Sequence, residues 1–251
     1  MALVGHWLVP YDPYLTNTDI ALQPPSVNHW FGTDHLGRDV LSRVVVATRI
    51  DLGIAFSAVA LSAIIGCSLG SIAGYFGGWT DQIIGRFTDI VMAFPLFVLA
   101  MGLVAAMGNT VENIIYATAL INIPFYIRVS RSEVSVRRNL PYVQAALQSG
   151  NSHLRALAMH IFPNTLPPLM VQISLNSGWA ILNAAGLSFI GLWVKPPEAE
   201  WGIKVAEGAN YMYYGAWWWV FFTGLVLMRA LFCFNLLGVI LLDMLDPFSR
   251  T

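Results

Sequence analysis

The chain contains several apolar runs long enough, or nearly long enough, to cross a lipid bilayer as helices. A membrane-spanning helix needs about 20 mostly apolar residues. Five segments meet or approach that length: residues 52–76, 90–107, 111–129, 166–194 and 216–242. Only 11% of the residues are charged, whereas a soluble domain carries about 25%. The sequence therefore predicts an all-α, polytopic membrane protein with about five full transmembrane helices and the remnant of a further one at the N-terminus.

The first of these runs is rich in small side chains, which allow helices to approach each other closely in a membrane. We therefore expect the run to be an interior helix. Its small residues are Gly53, Ala58, Ala60, Ala63, Gly66, Gly70, Ala73 and Gly74.

Basic residues are concentrated in the loop between the third and fourth runs, where Glu133 is the only acidic residue. Cytoplasmic loops carry an excess of Lys and Arg, so this loop is predicted to be cytoplasmic. The loop at residues 195–215 is acidic and is followed by aromatic residues suited to the headgroup region, so we expect it on the periplasmic side. The basic residues of the cytoplasmic loop are Arg128, Arg131, Arg137, Arg138 and Arg155.

Residues 1–49 form a predicted periplasmic or interfacial N-terminal segment, and residues 50–251 form the transmembrane domain. Residues 2–9 read as the tail of an apolar helix that is too short to span, which suggests a truncated product or a misplaced start codon; a re-entrant or surface-lying N-terminus is the alternative. Residues 36–48 place apolar side chains on one helical face, opposite Arg38, Asp39, Ser42 and Arg49. That pattern predicts an amphipathic helix lying along the membrane interface.

Two short helices are predicted within the cytoplasmic loop, at about residues 130–165. Leu140, Val143 and Leu147 recur at helical spacing, and Gly150 can adopt the left-handed conformation that ends a helix. Ser152 is a plausible N-cap for a second helix that continues into the next span. Exposed apolar residues on such an elbow would favour docking in a groove of a partner protein. The alternative is a turn that rests on the membrane surface.

This elbow resembles the EAA loop of ABC importer permeases, in which a short helix seats in a groove of the cytoplasmic ATPase. In that resemblance Gln144 replaces the usual Glu. The residues that match the family pattern are Ala145, Ala146, Gly150, Pro163 and Asn164. The resemblance implies that these six positions couple the membrane subunit to the ATPase.

The similarity extends over nearly the whole chain, to inner-membrane permeases of the dipeptide, oligopeptide and nickel importer group. It is carried by residues 10–13, 23–26, 29–43, 74–78, 186–192, 200–202 and 234–238. The resemblance implies the type I ABC importer permease fold and a role as one half of a translocation pore for peptides. It also implies a second permease subunit as heterodimer partner, two ATPase subunits, a periplasmic substrate-binding protein and membrane lipid. Nickel as cargo and an inactive truncated copy are the alternatives.

Three amide side chains approximate one face of the fourth run, namely Gln172, Asn176 and Asn183. Polar groups within a bilayer must find a partner helix or water. We expect them either to form interhelical hydrogen bonds or to line the translocation pathway. Arg229 is the one ionisable residue deep within a predicted span, and the resemblance supplies no Arg at that position.

The sequence predicts no catalytic residue, cofactor, metal site or nucleic-acid partner. The only lysines, Lys195 and Lys204, lie in the predicted outer loop, so no GxxxxGK[ST] phosphate loop is present and ATP hydrolysis is expected from partner subunits. All five His residues lie at or beyond the predicted membrane ends, which argues against an intramembrane enzyme. The runs 52–76 and 90–107 contain no titratable group at depth, as a proton-driven carrier would need, apart from Cys67.

Overall fold

The computed structural model describes Gly5, residues 9–191 and residues 198–245, with Leu245 described by its backbone only. The predicted N-terminal helix remnant lies almost entirely outside the described residues. Helices account for most of the described chain, and the only β-pairing within it is a bridge between Thr33 and Asp39. The all-α prediction is confirmed. The helices are α1 (Val40–Phe76), α2 (Gly78–Met92), α3 (Leu96–Met107), α4 (Val111–Arg137), α5 (Pro141–Gln148), α6 (His153–Ala156), α7 (Phe162–Phe189), α8 (Trp201–Tyr211) and α9 (Trp217–Leu245).

The chain divides into two compact units. The first consists of Met1–Ser57, Ala100–Ala117 and Gly178–Cys233, and it contains α8 and the turn-rich segment before α1. The second consists of Ala58–Leu99, Thr118–Ser177 and Phe234–Thr251, and it contains α2, α5 and α6.

Two helices of the described chain, Val40–Phe76 and Trp217–Met244, are long and apolar enough to cross a membrane. A bent pair of shorter helices makes a third candidate. The prediction of several membrane-spanning helices is retained. The length and hydropathy of the described helices, however, support two or three spans and not the five predicted. The segments at residues 111–129 and 166–194 do form long helices, α4 and α7. Prolines lie inside both helices, and polar side chains such as Asn122 and Asn176 dilute their apolar character.

The predicted single span at residues 90–107 is wrong. Two helices, α2 and α3, meet there with a bend of 87° at residues 93–95. Pro95 explains the break, because proline has no N–H for the helix ladder and disfavours the helical conformation of the residue before it. The helix α2 begins just after Gly77, which has a φ of +64°.

The predicted interfacial amphipathic helix is also wrong, because three of the four side chains on its polar face are buried within the first unit and only Arg49 is exposed. Arg38, Asp39 and Ser42 are each at most 5% exposed. Asp39 accepts hydrogen bonds from the backbone N–H and hydroxyl of Ser42 and pairs with His29 at 2.9 Å. The helix α1 begins at Val40 and runs through the boundary predicted at residue 49.

Asp34 is the centre of a buried charge cluster in the same unit. Its carboxylate accepts a hydrogen bond from Arg38 Nε at 2.7 Å and lies 3.4 Å from Lys204 Nζ and 3.8 Å from Arg43 Nε. Burial raises the pKa of Asp34, but the charges of Lys204 and Arg38 and two backbone N–H groups outweigh it, so the pKa lies below its usual value. Burial lowers the pKa of Lys204 to about 7.

In the second unit, the glycines of α1 lie against the backbone of α4. A Cβ added at Gly66 would lie 2.5 Å from Tyr126 Cβ, and one at Gly74 would lie 2.5 Å from the Arg131 carbonyl oxygen. The predicted close approach is confirmed for these glycines. Gly53 is different, because a Cβ there would meet nothing within 4 Å.

Candidate functional site

The predicted elbow is present in the second unit as α5, a glycine turn and α6. Leu140 is extended, as expected for a residue that precedes proline, and Pro141 occupies the first turn of α5. The helix ends before Gly150, whose φ of +88° is the left-handed conformation predicted for it. Ser152 then caps α6, because its hydroxyl accepts a hydrogen bond from Arg155 N at 3.3 Å.

The second helix continues into the next long helix through a stretch of π-helix. This stretch, Leu157–Ile161, connects α6 directly to α7. A π-turn inside a helix carries one extra residue per turn and is frequent at functional sites. At the start of α7, Asn164 donates a hydrogen bond from its amide to the His160 carbonyl at 2.7 Å, while Pro163 is exposed.

The expectation of an exposed apolar face on α5 is wrong for Val143, whereas Leu140, which precedes the helix, is 39% exposed. Val143 is fully buried and belongs to a cluster with Val134, Leu157 and Ile161. Leu147 packs against the same cluster and is partly buried. The apolar spacing that the sequence shows is therefore satisfied within the chain, because α5 folds back on α4 and on the π-helical stretch.

Three of the predicted coupling residues remain on the surface of the elbow. Gln144, Ala145 and Gly150 are exposed, whereas Ala146 is buried with 8% exposure. A Cβ at Gly150 would meet nothing within 4 Å. The exposed side chains of α5 are uncharged, namely Pro141, Tyr142, Gln144, Ala145 and Gln148.

A surface pocket of about 430 Å³ lies beside α5. The Tyr75 hydroxyl at the end of α1 and His153 Nδ1 at the start of α6 are 2.7 Å apart and form a hydrogen bond across this region. Arg138 donates hydrogen bonds to the carbonyls of Gly74 and Tyr75, both at 3.2 Å, which satisfies the end of α1. Sequence reasoning missed these links. The pocket is lined by Tyr75, Phe76, Arg138, Asn139, Gln144, Leu147 and His153.

The arginines of the predicted cytoplasmic loop pair with further acidic residues besides Glu133. Arg131 forms a bidentate ion pair with Asp81 of α2, and Arg128 lies 3.7 Å from Asp89 of the same helix. Arg137 pairs with Glu133 one turn earlier. The helix α2 was not predicted, and its last three residues were assigned to the span at residues 90–107, although the Gly77-Gly78 and Pro95 breaks were available as signals.

Two of the three pathway candidates interact with each other. Gln172 Nε2 donates to Asn176 Oδ1 at 3.0 Å, and Asn176 is buried next to the Tyr126 hydroxyl. The bond to Gln172 lies within α7, and the side-chain amide nitrogen of Asn176 has no hydrogen-bond partner among the described residues, so interhelical bonding also stays a prediction. Asn183 donates to the Trp179 carbonyl of its own helix at 3.0 Å. A pathway-lining role for the three residues stays a prediction.

Arg229 lies on α9 with its side chain exposed. Few side chains of this helix are buried, although Gly238 packs against Leu175 of α7. No contact among the described residues explains the presence of this arginine.

Two helices of the described chain are long and apolar enough to cross a membrane, and a folded elbow joins α4 to α7. The residues 66–251 match the family model described as the binding-protein-dependent transport system inner membrane component. The chain belongs to this family. The family is one of transport permeases, the non-catalytic membrane subunits of ABC importers.

Several curated proteins resemble the chain over most of its length. The probable D,D-dipeptide transport system permease protein DdpC of Escherichia coli is 43% identical over 98% of this chain and 83% of its own length. The dipeptide transport system permease protein DppC of Alkalihalophilus pseudofirmus is 41% identical over 92% and 76%. The nickel transport system permease protein NikC of Escherichia coli is 38% identical over 98% and 89%.

A solved structure also shares the fold. The crystal structure of an amino acid ABC transporter with histidines matches 83% of this chain and 93% of its own chain, with a TM-score of 0.59 and 16% identity. At this identity the match concerns the fold alone. It confirms the predicted importer permease fold.

Proposed function

We propose that this chain is one half of the translocation pore of a peptide importer in the bacterial inner membrane. The observation that carries the proposal is the elbow at Gly150, which leaves Gln144 and Ala145 exposed on a helix that is itself firmly packed. A helix that is packed on one face and has uncharged side chains exposed on the other suits the transmission of motion from another protein. Because the chain belongs to a family of ABC importer subunits, we infer that this other protein is the subunit that hydrolyses ATP.

The proposed assembly contains a second permease subunit, two ATPase subunits and a periplasmic substrate-binding protein. The ATPases dock at the elbow on the cytoplasmic side, as the surplus of arginines around it indicates. ATP is hydrolysed by those partners, and this chain carries no catalytic residue. The proposed coupling residues are Gln144, Ala145, Ala146, Gly150, Pro163 and Asn164.

Ala146 contributes in a different way from its exposed neighbours. It is buried, and its carbonyl accepts hydrogen bonds from the backbone N–H of Asn151 at 3.2 Å and from the side-chain amide of Asn151 at 2.9 Å. We assign it the role of holding the turn at Gly150 in shape. Ala145 and Gln144 are assigned the contact with the ATPase.

The direct test replaces Ala145 with Trp in the assembled complex and measures how much ATPase co-purifies with the membrane subunits. A bulky side chain on the exposed face should block docking while both permease subunits remain assembled. The matched control is Val27→Trp, because Val27 is 93% exposed and lies in the segment that the charge distribution places on the opposite side of the membrane. Unchanged ATPase recovery with Ala145→Trp would contradict the docking role.

Peptides are the proposed cargo because two of the similar proteins named above transport dipeptides and both are over 40% identical. Nickel is the second candidate, since the nickel permease is 38% identical over nearly the whole chain. A strain that lacks this gene should lose uptake of a labelled dipeptide and retain uptake of radioactive nickel. Loss of nickel uptake with normal peptide uptake would favour the second candidate.

A further inference from the structure

Two carboxyl side chains are fully buried against each other in the first unit. Asp51 lies on α1 and Glu200 immediately precedes α8, and both have 0% exposed surface. The backbone N–H of Trp201, the residue that follows Glu200, donates to the Asp51 carboxyl at 3.2 Å, which places the two carboxyl groups next to each other. Two carboxylates cannot both be ionised at such close range in a dry environment, because the charges repel and neither is solvated.

Each carboxyl has one oxygen that is occupied by the backbone of α8. Asp51 Oδ2 accepts from Trp201 N at 3.2 Å, and Glu200 Oε2 accepts from Ile203 N at 2.8 Å as the N-cap of the helix. The other oxygen of each group, Asp51 Oδ1 and Glu200 Oε1, is buried and has no hydrogen-bond partner among the described residues. These two oxygens are therefore the ones that can share a hydrogen atom.

The other groups that face the pair do not supply a compensating positive charge. Besides the two carboxyls, the contacts come from the Ser188 hydroxyl of α7 and the backbone N–H groups of Trp201, Gly202 and Ile203. Among the described residues, neither carboxyl forms an ion pair with Lys, Arg or His. The nearby lysine on α8, Lys204, points instead to Asp34 and Glu207.

We propose that Asp51 and Glu200 form a proton-binding site that holds one proton between them at neutral pH and fixes the start of α8 to α1. The proton makes the short contact attractive. Its loss would leave two buried negative charges in contact and would release α8. This inference is independent of ATPase docking, because it concerns the first unit and the elbow belongs to the second.

Because the residues around the pair are closely packed, separation of the two carboxyls on loss of the proton would have to displace α8. A Cβ at Gly202 would lie 2.2 Å from the Ala185 carbonyl oxygen, and Trp201 Nε1 donates to the Val44 carbonyl at 3.0 Å. These contacts hold the first turn of α8 against α7 and α1. Any separation of the two carboxyls therefore has to displace that turn.

Burial raises the pKa of Glu200 above its usual value of 4.5. A carboxyl with a raised pKa contributes stability that is complete below pH 4.5 and is lost as the pH rises through its pKa in the folded protein. The stability that this pair contributes should therefore decrease as the pH rises. Lys204 titrates near pH 7 with the opposite sign, so the pair is isolated by subtracting the profile of a variant that retains Lys204.

The experiment compares wild type and Asp51→Asn in the purified complex by infrared spectroscopy and by thermal unfolding. At pH 7 the wild type should show the carbonyl stretch of a protonated carboxyl group that Asp51→Asn lacks, because the amide donates to Glu200 without a bound proton. The unfolding temperature of the wild type should fall by about 2–4 °C or more relative to the variant as the pH rises above 4.5.

Asp51→Ser provides a second variant if the amide fails to fold, since its shorter hydroxyl also donates to Glu200. Asp89→Asn is the control, because Asp89 is largely exposed and its loss should leave both signals unchanged. Absence of the protonated-carboxyl band at pH 7 would overturn the proposal. So would a difference profile between wild type and Asp51→Asn that does not change with pH.

Discussion

The backbone of Gly70 in α1 lies so close to Ile127 in α4 that a Cβ at Gly70 would sit 2.4 Å from the Ile127 carbonyl oxygen. Real Cβ atoms do not approach a backbone oxygen this closely. The two helices can adopt their observed separation only because residue 70 has no side chain. The same relationship recurs one turn away at Gly66 and Gly74.

Gly70→Ala should therefore destabilise the protein by about 1–3 kcal/mol, because the helices must separate or bend to admit the methyl group. Gly53→Ala is the matched control in the same helix, where a Cβ meets nothing within 4 Å. It should be neutral or slightly stabilising, since alanine favours a helix over glycine. Thermal unfolding in detergent measures both. Equal stability of the two variants would contradict the packing described here.

Asp34→Asn should be strongly destabilising, by about 3 kcal/mol or more, because it leaves Arg38, Arg43 and Lys204 in a buried site without their common carboxylate. Asp89→Asn removes an exposed pair and is expected to have little effect on the unfolding temperature. A comparable loss of stability in both variants would show that burial of the charges does not determine how destabilising the substitution is.

Lys204 makes the stability depend on pH in a defined direction. Its pKa is about 7 in the folded protein, whereas the usual value is 10.5. Between these values the unfolded chain binds the proton and the folded chain does not, so stability should increase as the pH rises from about 7 to 10.5. Lys204→Met should remove that increase. A wild-type profile that falls over this range relative to Lys204→Met would contradict the assignment.

Gly150→Ala tests the turn of the elbow. A non-glycine residue at a φ of +88° is strained, at a cost of about 1–2 kcal/mol. The expected result is a distorted turn and reduced ATPase recovery with a smaller effect on assembly of the two permease subunits. Gly85→Ala in α2 is the control, because no Cβ contact within 4 Å and no positive φ constrain that position. Equal ATPase recovery from the two variants would argue against a role for the turn.

The sequence predicted the elements whose signals are local. The apolar spacing from Leu140 to Leu147 and Gly150 placed the elbow, and Ser152 caps the helix that it was predicted to cap. The contacts of polar residues distant in sequence were not predictable. Asp51 and Glu200 are 149 residues apart, and neither pattern nor spacing indicates that they meet. The periodicity around Arg38 correctly indicated a polar helix face. Periodicity does not show whether such a face contacts water or, as here, a buried carboxylate such as that of Asp34.

The burial of Val143 shows the same limit. Its spacing with Leu140 and Leu147 correctly indicated an apolar face on a short helix. Whether that face is covered by the same chain or by a partner depends on the path of α4 and of the π-helical stretch, which bring Val134 and Ile161 against it. Such a path is a property of the tertiary structure.

The most direct test of the coupling role is a cross-link from the exposed face of α5. Ala145→Cys is introduced into a chain in which Cys67 and Cys233 have been replaced by alanine, so that it carries one thiol. In intact membranes this thiol should react with a maleimide reagent only from the cytoplasmic side, and a bifunctional maleimide should join it to the ATPase subunit. Labelling of Ala145→Cys from the periplasmic side, or failure to cross-link in an assembled complex, would contradict the account.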